Sequence, residues 1–151
     1  MTKPHKTINI SCDLPANAKQ IWPLLLRIDT LKYIAAPYAA FVPLSSDTAN
    51  WNEGASLLFN LRIWGFIPLG THTVFIKRID EENLLIQSEE HNRHVPVWNH
   101  KITLTPLNNH ATHYTDEVEI CAGALTWLVA LWANLFYRHR QKKWRKLCKE
   151  Y

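Results

Sequence analysis

The side chains best suited to chemistry in this chain are His100, Tyr114 and Asp116, with Ser88 and Glu90 close behind. A histidine held by a carboxylate is a common acid–base unit, because the carboxylate fixes the tautomer while the imidazole carries the proton near neutral pH. Trp98 and His100 are two residues apart, as are Tyr114, Asp116 and Val118, so each set lies on one face of a strand. Ser88, His100 and Asp116 match a hydrolytic triad by residue type, but no nucleophile elbow surrounds Ser88 and no oxyanion donor is evident. His91-Asn92-Arg93-His94 lacks metal-ligand spacing and reads as a surface turn. With only 4 Gly in the chain there is no loop to cradle a phosphate. No metal or other cofactor is expected.

The elements that must position these residues follow from periodicity. Lys6 to Asp13 alternates as a first strand, with Ile8, Ile10 and Cys12 on one face. Asp13-Leu14-Pro15 predicts a helix start, with Asp13 near the cap and Pro15 in the first turn. That helix carries Ile21, Trp22, Leu25 and Leu26, and Pro23 should kink or split it. Leu31 to Ala40 reads as a second short helix ending near Pro37, followed by a loop or strand with Phe41 and Val42. Ser45 to Glu53 is polar and reads as an exposed connection. Five strands then follow, Ser56–Trp64, Thr71–Ile79, Leu84–Glu90, Val97–Thr105 and Thr112–Cys121, joined by turns short enough for an antiparallel meander. Gly123 to Tyr151 reads as one long helix, apolar through Tyr137 and basic thereafter, about 40 Å in length. The layout is α+β: a curved antiparallel sheet wrapped around a long C-terminal helix, with two short helices after the first strand.

Hairpin registers place the chemistry. Centring the last turn on Asn108 pairs Trp98 with Val118, His100 with Asp116, Ile102 with Tyr114 and Leu104 with Thr112. Centring the preceding loop on His94 sets Ser88 beside His100 and Glu90 beside Trp98, and brings Val74, Ile76, Ile86 and His72 to the inner face. Asn99, Lys101, Thr103, His113, Glu117 and Glu119 face solvent; the Ser56–Trp64 strand is too apolar on both sides to phase. The inner face is then largely apolar with a few polar groups at its centre, which is the character of a small-molecule pocket. The predicted ligand-binding set is Val74, Ile76, Ile86, Ser88, Glu90, Trp98, His100, Ile102, Tyr114, Asp116, Val118, Leu128 and Trp132. Against a catalytic role stands the plainer reading that His100 and Asp116 only satisfy each other. Leu125, Leu128, Trp132, Leu135 and Phe136 recur at helical spacing and are expected to close over the sheet, while Trp127 and Leu131 are left on other sides.

Composition narrows the class. A chain of 151 residues is expected to form a single domain, residues 1–151, with a substantial core. The apolar run of the last helix is about 14 residues, short of the roughly 20 needed to span a bilayer. The net charge of +4 is concentrated between Arg138 and Lys149, where a solvated helix end explains it better than nucleic acid does. Three Cys without metal or redox spacing, and no apolar signal core at the N-terminus, predict a reducing, cytoplasmic setting.

Several segments resemble one superfamily. Asp13-Leu14-Pro15 through Ile21-Trp22, Gly70-Thr71-His72-Thr73, Trp98-Asn99-His100 and Thr112-His113-Tyr114-Thr115-Asp116-Glu117-Val118 are similar to its small stand-alone bacterial members. Phe136-Tyr137-Arg138-His139-Arg140-Gln141 through Trp144 resembles their C-terminal signature. The superfamily is SRPBCC, which unites START, Bet v 1 and polyketide-cyclase proteins in the helix-grip fold. The resemblance implies a cavity for a lipid, sterol, polyketide or aromatic ligand, and no fixed catalytic set. Three functions are carried forward: a carrier or sensor of a hydrophobic small molecule; a cyclase, dehydratase or isomerase using His100, Tyr114 and Asp116; and an interaction protein docking through the last helix as a homodimer or at a membrane surface.

Overall fold

A computed structural model describes residues 4–44 and 49–150. The elements are β1 (Lys6–Leu14), α1 (Ala18–Leu25), α2 (Ile28–Ala35), β2 (Ala39–Pro43), β3 (Ser56–Ile63), β4 (Ile67–Asp80), β5 (Leu85–Asn92), β6 (Val97–Asn108), β7 (Ala111–Cys121) and, after a 3₁₀ turn over Gly123–Leu125, α3 (Thr126–Cys148). All seven strands form one antiparallel sheet in the order β1-β7-β6-β5-β4-β3-β2. Register breaks at Leu61/Arg62, Ile76/Arg78 and Pro106/Asn108 add local bends of the kind that let a sheet curl. The result is the helix-grip fold: a curved sheet closing on α3, with α1 and α2 across one end.

The first helix starts later than its sequence suggests. Asp13 is still in β1, where it accepts a hydrogen bond from His113 across the ladder (2.7 Å). The cap is Asn17, whose side chain accepts from the Lys19 backbone while Gln20 reaches back to the Asn17 N–H. Pro23 does not split α1 into two helices; the helix runs through it and stops at Leu25. The second helix begins at Ile28, ahead of its predicted start at Leu31, and Phe41 and Val42 fall in β2. Of the connection expected over Ser45–Glu53, residues 45–48 lie outside the described residues, and Trp51 is half-buried rather than exposed.

The β5–β6 register is as predicted, with Ser88 opposite His100 and Glu90 opposite Trp98. The β6–β7 register is offset by two residues. Trp98 pairs with Ile120, His100 with Val118, Ile102 with Asp116 and Leu104 with Tyr114. The cause is the hairpin: Asn108 pairs with Ala111 across a two-residue turn, and Leu107 bulges out beside it. An even offset leaves every side chain on its predicted face, so His100 and Asp116 become diagonal rather than direct neighbours. In β3, Phe59 and Leu61 point inward while Leu58 is exposed. β4 begins at Ile67, earlier than the Thr71 expected, so the predicted turn over Gly65–Gly70 is mostly strand.

Candidate functional site

α3 does not lie centrally over the sheet. It packs on β1 and β7, anchored by Gln141, whose side-chain amide donates to the Ile10 carbonyl (2.8 Å) and to Asp116 Oδ2 (3.0 Å). Trp144 sits on Tyr114 with ring centroids 5.7 Å apart. The other half of the concave face, from β3 to β6, is separated from the helix over much of its area, with α3 reaching β6 through Trp132 and Tyr137 on Trp98 and Tyr137 on His100. It encloses a cavity of about 530 Å³, within the ordinary range for small-molecule sites. Most of its wall is aliphatic or aromatic, drawn from Phe41, Val74, Ile76, Trp98, Ile102 and Phe136 among others.

One wall is polar and tightly organised. Asn92 Oδ1 accepts from the backbone N–H groups of His94 and Val95, both at 2.9 Å, which fixes the orientation of its amide. Its Nδ2 therefore donates to His72 Nδ1 (3.0 Å), leaving His72 Nε2 to donate to Glu90 Oε1 (2.9 Å). Ser88 donates to Glu90 Oε2 (2.7 Å), and His100 Nδ1 lies 3.9 Å from that same oxygen. On its far side, His100 Nε2 meets Asp116 Oδ1 at 2.6 Å, with the Tyr114 hydroxyl 3.4 Å from the same atom. The chain of contacts thus runs Asn92–His72–Glu90–His100–Asp116, with both carboxylates held by their own donors. Burial pushes the Glu90 carboxyl up, but the His72 hydrogen bond, the nearby histidines and Ser88 outweigh it and hold the group below its ordinary value. Burial drives the Tyr114 and Tyr137 hydroxyls far upward, so both act as neutral phenols. Tyr137 accepts a hydrogen bond from Trp98 Nε1 (2.9 Å) and packs on the His100 ring.

Of the predicted ligand set, Val74, Ile76, Ile86, Ser88, Glu90, Trp98, His100, Ile102, Leu128 and Trp132 line the cavity. Tyr114, Asp116 and Val118 do not: they are fully buried beneath α3, because the helix covers the β1–β7 side of the sheet. Leu125 is exposed and away from the cavity, while Leu128, Leu131 and Leu135 are exposed and rim it. Sequence reasoning missed Tyr137, Arg140, Gln141 and Trp144, all buried on α3, and Asn92, placed in a surface turn yet only 8% exposed. Arg140 in particular is not part of a solvated basic face, being 5% exposed. Its signal was its phase: Phe136, Arg140 and Trp144 are spaced by four, a single helical stripe. No helix among the described residues is long and apolar enough to cross a membrane.

A family model described as a domain of unknown function, DUF8410, matches residues 12–151. No curated protein matches the chain. Among solved structures, norcoclaurine synthase from Thalictrum flavum, in complex with dopamine and hydroxybenzaldehyde, superposes with a TM-score of 0.72 at 13% identity, covering 99% of this chain and 89% of that one. A START superfamily protein from Mycobacterium smegmatis gives 0.71 at 12% identity, covering 97% and 99%. The Zhui aromatase/cyclase from Streptomyces sp. R1128 gives 0.73 at 12% identity, covering 97% and 94%. At such identities the likeness establishes the SRPBCC-type fold. The family match covers nearly the whole length, and the chain belongs to the DUF8410 family.

Proposed function

We propose that this DUF8410 protein is a binding module that takes an apolar small molecule into the cavity between the sheet and α3. The observation that carries the reading is the cavity itself: about 530 Å³, walled mainly by aliphatic and aromatic side chains, with one organised polar wall. The exposed Leu128, Leu131 and Leu135 form an apolar rim through which such a ligand enters. Folds of this type in the similar structures belong to proteins named as a synthase, a START protein and an aromatase/cyclase, so the cavity is compatible with carriage or with chemistry. Native mass spectrometry of the purified chain, with displacement of a fluorescent fatty-acid probe, tests the reading. Absence of any bound or competing apolar compound at micromolar concentration refutes it.

A second reading, a cyclase, dehydratase or isomerase, is favoured by one feature: His100 stands on the cavity wall with a carboxylate facing each ring nitrogen. It requires that a bound compound be recovered altered and that His100→Gln abolish the change without abolishing binding. A ligand recovered intact from prolonged incubation excludes it. The same apolar rim could dock a second copy or a membrane surface, which sedimentation at several concentrations and liposome pull-down at low and high salt distinguish.

A further inference from the structure

Among the described residues, Trp132 Nε1 and Arg140 Nε are buried side-chain donors with no hydrogen-bond partner, and Trp144 Nε1 has only the Tyr114 hydroxyl beside it, outside good hydrogen-bond geometry. All three are N–H donors, all lie on α3, and all three residues line the cavity. Buried polar groups in folded proteins are almost always paired, so a donor-only surplus confined to one wall of a cavity marks what the occupant must supply. The occupant must bring acceptors.

Arg140 is the strongest of the three. Its guanidinium is held over the Tyr137 and Phe136 rings, 5.0 and 5.6 Å from their centroids. Contact with ring faces offers the guanidinium no in-plane acceptor, and its buried Nε has no hydrogen-bond partner among the described residues. It forms no salt bridge with any described carboxylate. The two nearest in charge, Asp116 and Glu90, are committed elsewhere: Asp116 to His100, Gln141 and Tyr114, and Glu90 to His72 and Ser88. Arg140 therefore has Asp116 and Glu90 as charge neighbours but no hydrogen-bonded carboxylate of its own among the described residues. A planar fork of five N–H groups fits the two oxygens of a carboxylate better than any single-oxygen head. Resting on the binding reading above, we propose that the ligand is an amphiphilic monocarboxylate that enters head first. Its carboxylate seats on Arg140, and its apolar body extends back along α3 toward Leu128, twelve residues or about 18 Å away.

The test compares dodecanoate, dodecan-1-ol and methyl dodecanoate by displacement of the fluorescent probe from the full chain, at about pH 7.5 where the acid is ionised. Wild type is expected to bind dodecanoate about ten- to hundredfold more tightly than either neutral analogue. Arg140→Met should erase that preference, lowering dodecanoate affinity far more than dodecan-1-ol affinity, and Arg140→Lys should restore part of it. Equal affinity of the three compounds for wild type overturns the carboxylate assignment while leaving the binding reading in place; this arm does not depend on any variant folding. An ordered water on Arg140 in place of a ligand head would give that equal-affinity result. If none of the three compounds binds, the binding reading falls and the assignment with it.

Discussion

Replacing His100 or Asp116 alone should destabilise the fold severely, whereas replacing both should cost much less than the sum. His100 Nε2 and Asp116 Oδ1 are 2.6 Å apart, Asp116 is wholly buried and His100 is 7% exposed. His100→Leu takes away the shortest of the contacts to Asp116 and leaves Gln141 at 3.0 Å and Tyr114 at 3.4 Å. Asp116→Val takes from His100 Nε2 its partner and removes one of the two acceptors to which Gln141 donates, while the bond to Ile10 survives. Breaking a buried charged pair from one side costs about 3–5 kcal/mol, because the other group is left desolvated and unmatched. The double variant leaves neither group behind. Its cost should therefore lie well below the sum of the singles, with a coupling of about 2 kcal/mol or more.

The assay is urea unfolding of wild type, both singles and the double, followed by far-ultraviolet circular dichroism and by tryptophan fluorescence, with coincidence of the two probes required. Two singles each costing under about 1 kcal/mol and adding to within about 0.5 kcal/mol would refute the reasoning. That outcome would mean the pair is not structural, and His100 would then be free for the acid–base role of the second functional reading. A large coupling shows instead that the pair anchors β6, β7 and α3 to one another, whatever else it does.

The remaining expectations are narrower. Burial raises the Glu90 carboxyl, but its hydrogen bond and charge contacts with His72, together with His100 and Ser88, hold it below its ordinary value of 4.5, so its contribution to stability is complete above that pH and is lost as pH falls through the lower folded value; Glu90→Gln should flatten the acid limb of stability below pH 4.5, and an unchanged slope would contradict the network. Burial raises the Cys12 and Cys148 thiols from 9.0 to about 11, so at about pH 8 their native-state labelling by a thiol reagent should run about a hundredfold slower than in the urea-unfolded chain, and equal rates would show the thiols to be open. Asn17→Ala removes the α1 cap and should cost about 1 kcal/mol by urea unfolding, whereas Asp13→Ala should cost less, the reverse of what a cap at Asp13 would give. Trp144→Ala, at a fully buried ring, should cost about 3–5 kcal/mol and shift tryptophan emission measurably.

Much of the fold was legible because alternation and turn chemistry speak directly. The β5–β6 register followed from the loop, and Ile86, Val74, Ile76 and His72 fell inward as their spacing required. The β6–β7 register did not, because Leu107 reads as an ordinary strand residue and nothing marks it as a bulge. That error was harmless for the face assignment, since two residues is one full pleat. The capping error was of another kind: Asp13-Leu14-Pro15 carries a start signal, but the β1–β7 ladder continues through Leu14 and overrides it. Tyr114, Asp116 and Val118 were assigned to the right face but not to the right half of it. Whether a helix covers one half of a concave sheet depends on where the helix lands, and Gln141 reaching the Ile10 carbonyl is a contact across most of the chain that local pattern cannot disclose.

Arg140 shows where composition and periodicity disagree, and why periodicity governs. The run from Arg138 to Lys149 is basic as a block, and Arg138, Lys142, Arg145, Lys146 and Lys149 are indeed exposed. Arg140 alone of its charged neighbours falls on the stripe of Phe136 and Trp144, so the helix carries its charge inward. The division of labour that results is sharp. On the sheet, each buried acceptor is matched by a donor from the sheet itself or from Gln141, so that wall closes its own hydrogen-bonding account. On the helix, Trp132 and Arg140 hold donors that nothing in the described fold meets. A wall that is already satisfied sets the shape of the cavity but makes no demand on its contents. A wall with unmet donors does, so on the proposed binding reading α3 would select the ligand, while β3 to β6 would set how large it can be.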